Sequence, residues 1–230
     1  MEKIMLLKIK YLSRFLVLGL FIFCSGCGLV GLMGTPTDYE KKIPAEYNLA
    51  KDKGSKTLVL VYQPAWLDSK MDLRYYITDA MNKELTKKIK SKGSTFVSYS
   101  ELSKFRMNTE NFTQLSPVEV GKALDANMVL LISIESYQVE ELEKSDYYKG
   151  FLSTKSSLYS IANGNKLWPL SDENKSVKVG FESAGPGEEF AVKRLAAASA
   201  FCTSRYLYDC IKNQFKIFDE RNDTVWQTWE

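Results

Sequence analysis

Histidine is absent from all 230 residues. Without imidazole there is no Ser-His-Asp or Cys-His nucleophile system, no His-ligated zinc and no unperturbed side chain that titrates near neutrality. Cysteine is scarce, with four residues, and proline numbers six. Charge of one sign is also lacking: 31 basic residues face 28 acidic ones. Even that small excess is concentrated in the first 26 residues, which hold Lys3, Lys8, Lys10 and Arg14 against Glu2, so the remainder carries 27 of each sign. A chain so nearly neutral has no basic footprint with which to displace counterions from nucleic acid, and a nucleic-acid partner is excluded. No repeat period is visible, which excludes a solenoid. Chemistry based on carboxylates or lysine stays open.

What is present begins at the amino terminus. A basic stretch leads into the apolar run Phe15 to Phe23, followed by the small residues Ser25 and Gly26 and then Cys27. That order is the order of an export signal. The apolar run is too short for a membrane span, which needs roughly 20 residues. Cys24-Ser25-Gly26-Cys27 resembles the lipobox of bacterial lipoproteins, although Cys24 stands where leucine is usual. The resemblance implies cleavage after Gly26, a diacylglyceryl thioether on Cys27 and a third acyl chain on the new amino group. Two or three chains anchor a protein durably where one does not. Gly28 rather than Asp after the anchor favours the outer membrane by the same resemblance. The rival reading of C-x-x-C as a redox or zinc motif is disfavoured, because both cysteines close an apolar run and neither follows a strand.

Removal of residues 1–26 leaves 204 residues, enough for one domain with its own core. Residues 27–56 mix Gly28, Gly31, Gly34, Pro36, Pro44 and Gly54 with charged residues and read as a lipidated tether. The domain is expected over 57–210, with a tail at 211–230. Thr57 to Tyr62 is an apolar strand of the doubly buried kind. Leu73, Ile77, Ala80, Met81, Leu85 and Ile89 then recur at helical spacing, with Asp68 or Asp72 as the cap and Gly93 as the stop. A second strand is expected over 95–99. Ser116-Pro117-Val118-Glu119 has the form of a capping box with proline in the first turn, and starts a short helix. Met128 to Ile134 is a third strand. Strand-helix-strand-helix-strand implies parallel pairing with right-handed crossovers. Afterwards Phe151 to Ile161, the turn Asn163-Gly164 and Lys166 to Trp168 form an antiparallel hairpin, another strand covers 176–181, and a last helix runs from about Glu188 to Tyr208. The fold class is therefore mixed α/β, with a sheet of five to six strands.

Three stretches carry a family resemblance: Leu58 to Tyr62, Val120 to Leu131 and Leu158 to Trp168. In this order they resemble the periplasmic domain shared by the curli-secretion lipoprotein CsgG, the TolB amino-terminal domain and the peptidoglycan-synthase activator LpoB. The resemblance implies a non-enzymatic envelope protein that binds other proteins or assembles into rings. Ser136 to Lys149 departs from the pore-forming members: it is short and acidic, with Glu140, Glu141, Glu143 and Asp146, and is expected to be a connection unable to supply a membrane hairpin.

The candidate partner-binding residues are Gln63, Trp66, Arg74 and Tyr75, which follow the first strand at the place where sheets with a parallel start bind ligands. The alternative is that Trp66 only covers the sheet edge. Tyr147 and Tyr148 suggest a second contact surface or a solvated loop. The acids Glu140, Glu141 and Glu143 have neither the pairing of a glycosidase nor the spacing of a calcium loop. Trp226 and Trp229 dock on the domain or on a neighbour. Cys202 and Cys210 would lie about 12 Å apart by rise along one helix, beyond the roughly 7 Å limit for a bridge. A disulfide thus requires the helix to end between them, and two buried thiols are the alternative. No metal or cofactor is expected. The function expected is that of an accessory or assembly factor held to membrane lipid through Cys27 and acting through an envelope protein partner or self-association. A carboxylate-based cell-wall glycan hydrolase, or a ring component of a secretion system, is the alternative.

Overall fold

The computed structural model describes residues 42–67, 69–89, 93–143, 146–211, 217–218 and 224–227. They belong to the unit Lys42–Glu230. Cys27 and the export signal lie outside the described residues.

Strand β2 (Lys56–Tyr62) is the centre from which the architecture follows. Its residues alternate between two cores. Val59 and Val61 face a core that includes Ile77, Met81 and Leu195, while Leu58 and Leu60 face one that includes Leu102, Val120 and Leu124. Both faces are therefore covered, which is why the strand is apolar without alternation. The first face is covered by helix α1 (Leu73–Lys88) and helix α4 (Glu188–Ser204), the second by α2 (Tyr99–Asn108) and α3 (Pro117–Ala123).

The principal sheet runs in the order β3 (Thr95–Phe96), β2, β4 (Met128–Leu142), β5 (Tyr147–Ser160), β7 (Lys175–Ala184), β10 (Thr224–Gln227) and β9 (Ile217–Phe218), with β6 (Lys166–Trp168) paired to β5. Among the described residues it holds eight strands. The pairs β3–β2 and β2–β4 are parallel, and the rest are antiparallel. The six strands expected from sequence are β2 to β7, and the mixed α/β class with a parallel start, an antiparallel hairpin and a final helix holds. Gly164 has φ +71°, the left-handed value its turn demands. The capping box forms as read: Ser116 Oγ accepts from the Glu119 amide at 3.3 Å, and Glu119 Oε2 accepts from the Ser116 amide at 2.7 Å. The small residues of α4 serve close packing: Ala191, Ala196, Ala198 and Ala200 are buried, and Ser199 Oγ lies 3.4 Å from Thr154 Oγ1 on β5.

Four expectations need correction. The segment read as tether through residue 56 is folded from Lys42 onward. Strand β1 (Lys42–Ile43) pairs with β8 (Cys210–Ile211), the Tyr47 and Leu49 amides donate to Tyr206 and Leu207 carbonyls at 3.1 Å, and Leu49 is buried. Two apolar residues are too few for a periodic pattern, and their partners lie at the other end of the chain. The acidic connection between Ser136 and Lys149 is mostly strand: β4 continues to Leu142 and β5 starts at Tyr147, with Glu143 (φ +56°) and Asp146 (φ +53°) at its turn. Tyr137 and Val139 pack inward between exposed Gln138 and Glu140, an alternation that the run of acids hides. The tail contributes β9 and β10, with Trp226 opposite Gly180 of β7; Trp229 lies outside the described residues. Finally, α4 ends at Ser204, before Cys210, yet Cys202 and Cys210 are free thiols, both buried. Burial pushes the Cys202 thiol up to about 12, so it stays protonated and unreactive at neutral pH. Helix α2 had no counterpart in the sequence reading, although Ser98 followed by Glu101 has capping spacing and Ser98 Oγ accepts from the Glu101 amide at 3.1 Å.

Candidate functional site

Strands β2 and β4 run in parallel, so the upper end of β2 delivers Tyr62, the 63–72 loop and the first turn of α1 to one end of the sheet. Three aromatic side chains are exposed there: Trp66 at 70%, Tyr62 at 59% and Tyr75 at 43%. Large aromatics exposed to this extent at one end are the informative exception to burial.

Beneath Tyr75 lies a polar knot. Asp72 occupies the N-cap position of α1 but makes no capping bond. Its carboxylate instead accepts from Arg74 Nε at 2.9 Å and from the Tyr99 hydroxyl of α2. The Tyr75 ring meets Tyr76 and Tyr99 edge to face, at centroid distances of 5.1 and 5.3 Å. Tyr76 in turn donates to Glu189 Oε1 at 3.0 Å, which ties α1 to the first turn of α4. Half-buried Arg106 is placed 5.1 Å from the Phe112 ring. For Asp72, burial alone would raise the carboxyl pKa, but the Tyr99 hydroxyl and Arg74 outweigh it and hold it below the usual carboxylate range. A depressed folded-state value means that the carboxylate contributes stability above its unfolded pKa, and that this is lost as pH falls through the folded value. Asp72→Asn is accordingly expected to lower stability at neutral pH and to flatten the acid limb of the stability curve. Denaturant midpoints measured across the acid range check this, and parallel curves for both proteins would remove Asp72 from the account.

The four residues proposed from sequence therefore separate. Trp66 and Tyr75 are exposed. Arg74 is half exposed and committed to Asp72. Gln63 braces its own loop, donating to the Leu67 carbonyl at 3.4 Å, and its Oε1 is buried without a partner. Sequence reasoning missed Tyr62, Tyr99 and Arg106. The capping spacing at Ser98 was the available signal for Tyr99.

The other candidates also find places. Tyr148 is buried and Tyr147 is 38% exposed. Glu140, Glu141 and Glu143 are exposed at the hairpin tip, where Glu141 accepts from the Asp146 amide at 3.3 Å. A glycan hydrolase would need two buried acids facing one cleft, and among the described residues no Asp or Glu is buried. Among the described residues, no group of three or more Asp, Glu or Cys side chains is placed to hold a metal ion, and no helix is long and apolar enough to cross a membrane.

The opposite end of the sheet holds the amino-terminal segment. Glu46 accepts from Trp168 Nε1 at 2.7 Å and from Lys175 Nζ at 2.6 Å. The Lys175 ammonium sits 4.1 Å from the Tyr206 ring centroid, and that ring stacks on Trp168 at 5.8 Å. The segment around Glu46 and Tyr47 thus lies near the start of β4, where the Tyr47 hydroxyl is 3.9 Å from Met128 Sδ, while Trp66 follows the end of β2.

No family model matches this sequence, and no curated protein matches it. Solved structures similar to it include lipoprotein GNA1162 from Neisseria meningitidis, 15% identical, covering 66% of this chain and 99% of that one with a TM-score of 0.41. The PelC dodecamer from Paraburkholderia phytofirmans is 12% identical, covering 73% and 97% of the two chains with a TM-score of 0.43. The LpoB C-terminal domain from Salmonella enterica is 15% identical, covering 55% and 82%, with a TM-score of 0.32.

Proposed function

We propose that this chain is an envelope lipoprotein, held to membrane lipid through acylated Cys27, that acts without covalent catalysis by holding a partner protein at the Trp66 end of its domain. The observation that carries the reading is the separation of the two ends. Glu46, in the segment where the described fold begins, is held at one end of the sheet by Trp168 and Lys175, and the exposed Trp66, Tyr62 and Tyr75 stand at the other. Aromatic side chains flanked by arginine are the residue types that dominate binding energy in protein interfaces. A tether from Cys27 would keep this surface near the membrane and raise its effective concentration for a neighbour in the same envelope. By the resemblance of Cys24 to Gly28 to a lipobox, the outer membrane is the favoured location.

Mass spectrometry of the native protein, combined with a photo-crosslinking residue at position 66 in intact cells, tests the reading. An acylated peptide that begins at Cys27, with crosslinks to one envelope protein, is the expected result. An unmodified Cys27 behind an intact amino terminus overturns the anchor. Crosslinks that arise from Phe151, 40% exposed on β5, but not from position 66 overturn the binding site.

A further inference from the structure

We propose that the anchor-side end of the domain is itself a binding surface for anionic phospholipid, built from Lys51, Lys53, Lys87 and Lys88. These lysines come from two segments distant in sequence. Lys51 ends the short 3-10 turn Leu49–Lys51 and Lys53 follows it, while Lys87 and Lys88 close α1. The segments share one neighbourhood: Leu49 packs in the same core cluster as Leu85 and Ile89 at the end of α1, the Leu49 amide donates to the Leu207 carbonyl at 3.1 Å, and the Lys88 ammonium lies over the ring of the adjacent Tyr208.

Among the described residues, none of these four lysines is in an ion pair. Lys56, Lys83, Lys149, Lys155, Lys175 and Lys193 each have a carboxylate within ion-pair distance. Among the described residues, none lies so close to Lys51, Lys53, Lys87 or Lys88, Glu84 one turn before Lys88 included. Asp52, the acid of that loop, accepts from the Tyr47 hydroxyl at 3.0 Å. Lysines in a last helical turn complement the helix dipole, which accounts for Lys87 and Lys88 but not for Lys51 and Lys53.

The position of the cluster identifies its ligand. Lys88 Nζ sits 5.8 Å from the Tyr208 ring centroid, the neighbouring Asp209 accepts from the Ala45 amide at 3.0 Å, and β1 pairs with β8 immediately beyond. The described fold therefore begins, at Lys42, on the strand paired next to the Lys88–Tyr208 contact. Fifteen residue steps separate Cys27 from Lys42, which reach about 50 Å when extended and roughly 20 Å as a flexible coil. A lipid surface is thus within reach of the lysine end. Glu140, Glu141, Glu143 and Asp146 crowd the hairpin tip at the far end, which an anionic surface repels. Attraction at one end and repulsion at the other hold the domain upright, with Trp66 turned away from the bilayer. The orientation and the choice of phospholipid as the ligand both rest on the anchored reading.

The test uses residues 27–230 with Cys27→Ser and no acyl group, since every buried apolar residue named above lies beyond Lys42. Co-sedimentation is measured with vesicles of equal parts phosphatidylglycerol and phosphatidylcholine, and with phosphatidylcholine alone. Each lysine near an anionic surface raises partitioning about fivefold, so at least roughly a tenfold preference for the anionic vesicles is expected, falling with salt. Replacing Lys51, Lys53, Lys87 and Lys88 together with Glu is expected to abolish the preference. Replacing Lys70, Lys104, Lys149 and Lys178 with Glu changes net charge equally and is expected to spare most of it. Circular dichroism confirms that both variants fold; if the Glu set does not, Gln at the same four positions replaces it. Equal binding to both vesicles, or equal losses from both sets, overturns the proposal. An unmodified Cys27 in the native protein would overturn the anchor and leave this result standing.

Discussion

Trp168→Ala is expected to lower stability by about 3–5 kcal/mol, the range for deleting a buried aromatic ring. The indole is 1% exposed, stacks on Tyr206 and donates to Glu46. Its loss leaves a cavity in the larger core and strips Glu46 of one of its two partners, and Lys175 loses the ordered Tyr206 ring beneath it. The destabilisation is therefore expected to spread to the amino-terminal segment, whose backbone is tied to Tyr206 and Leu207. Urea unfolding with an unchanged slope gives the magnitude, and faster amide exchange at Tyr47 and Leu49 gives the location. Trp168→Phe keeps one aromatic ring but removes the bond to the Glu46 carboxylate, worth about 1.5–3 kcal/mol, and leaves a smaller cavity than alanine. A loss below about 1 kcal/mol for the alanine variant would place the ring outside the core.

Trp66→Ala is expected to do the reverse. At 70% exposure the side chain supports little of the fold, and stability should change by no more than about 0.5 kcal/mol. Capture of the crosslinked partner should weaken by at least about tenfold, because truncating an interface tryptophan at a hot spot costs about 2 kcal/mol or more. Tyr62→Ala is the graded companion and should show a smaller loss. Unchanged capture with Trp66→Ala would leave the exposed ring as a cover for the sheet edge, and the site would have to be sought elsewhere. The two variants thus set a structural role for Trp168 against the proposed binding role of Trp66.

Much of the fold was legible because its signals are local. The capping box at Ser116 is satisfied by atoms three residues apart, the Asn163-Gly164 turn by the conformational freedom of its glycine, and β2 by an unbroken apolar run that only a strand covered on both faces can carry. The candidate site was legible in part. Its location followed from the parallel start of the sheet, and Trp66 and Tyr75 are exposed there. The role of Gln63 was not readable, since a side chain that turns back on its own loop has the same sequence context as one that turns outward. Asp72 likewise had the composition of a helix cap, yet Tyr99, 27 residues later, claims its carboxylate.

Sequence alone determined the types of the central elements β2 to β7, α1, α3 and α4, the mixed α/β class and the parallel start, since propensity, caps and periodicity act between near neighbours. Tertiary structure alone decided which segments close the domain and what stays exposed. Glu46 and Trp168 are 122 residues apart, Ala45 and Asp209 are 164 apart, and the β10 strand joins β7 across the length of α4. Such contacts depend on where distant segments meet after the sheet has formed. No local pattern records that meeting, so the folded beginning of the supposed tether, the added strands of the tail and the lysines near that beginning emerge only in three dimensions.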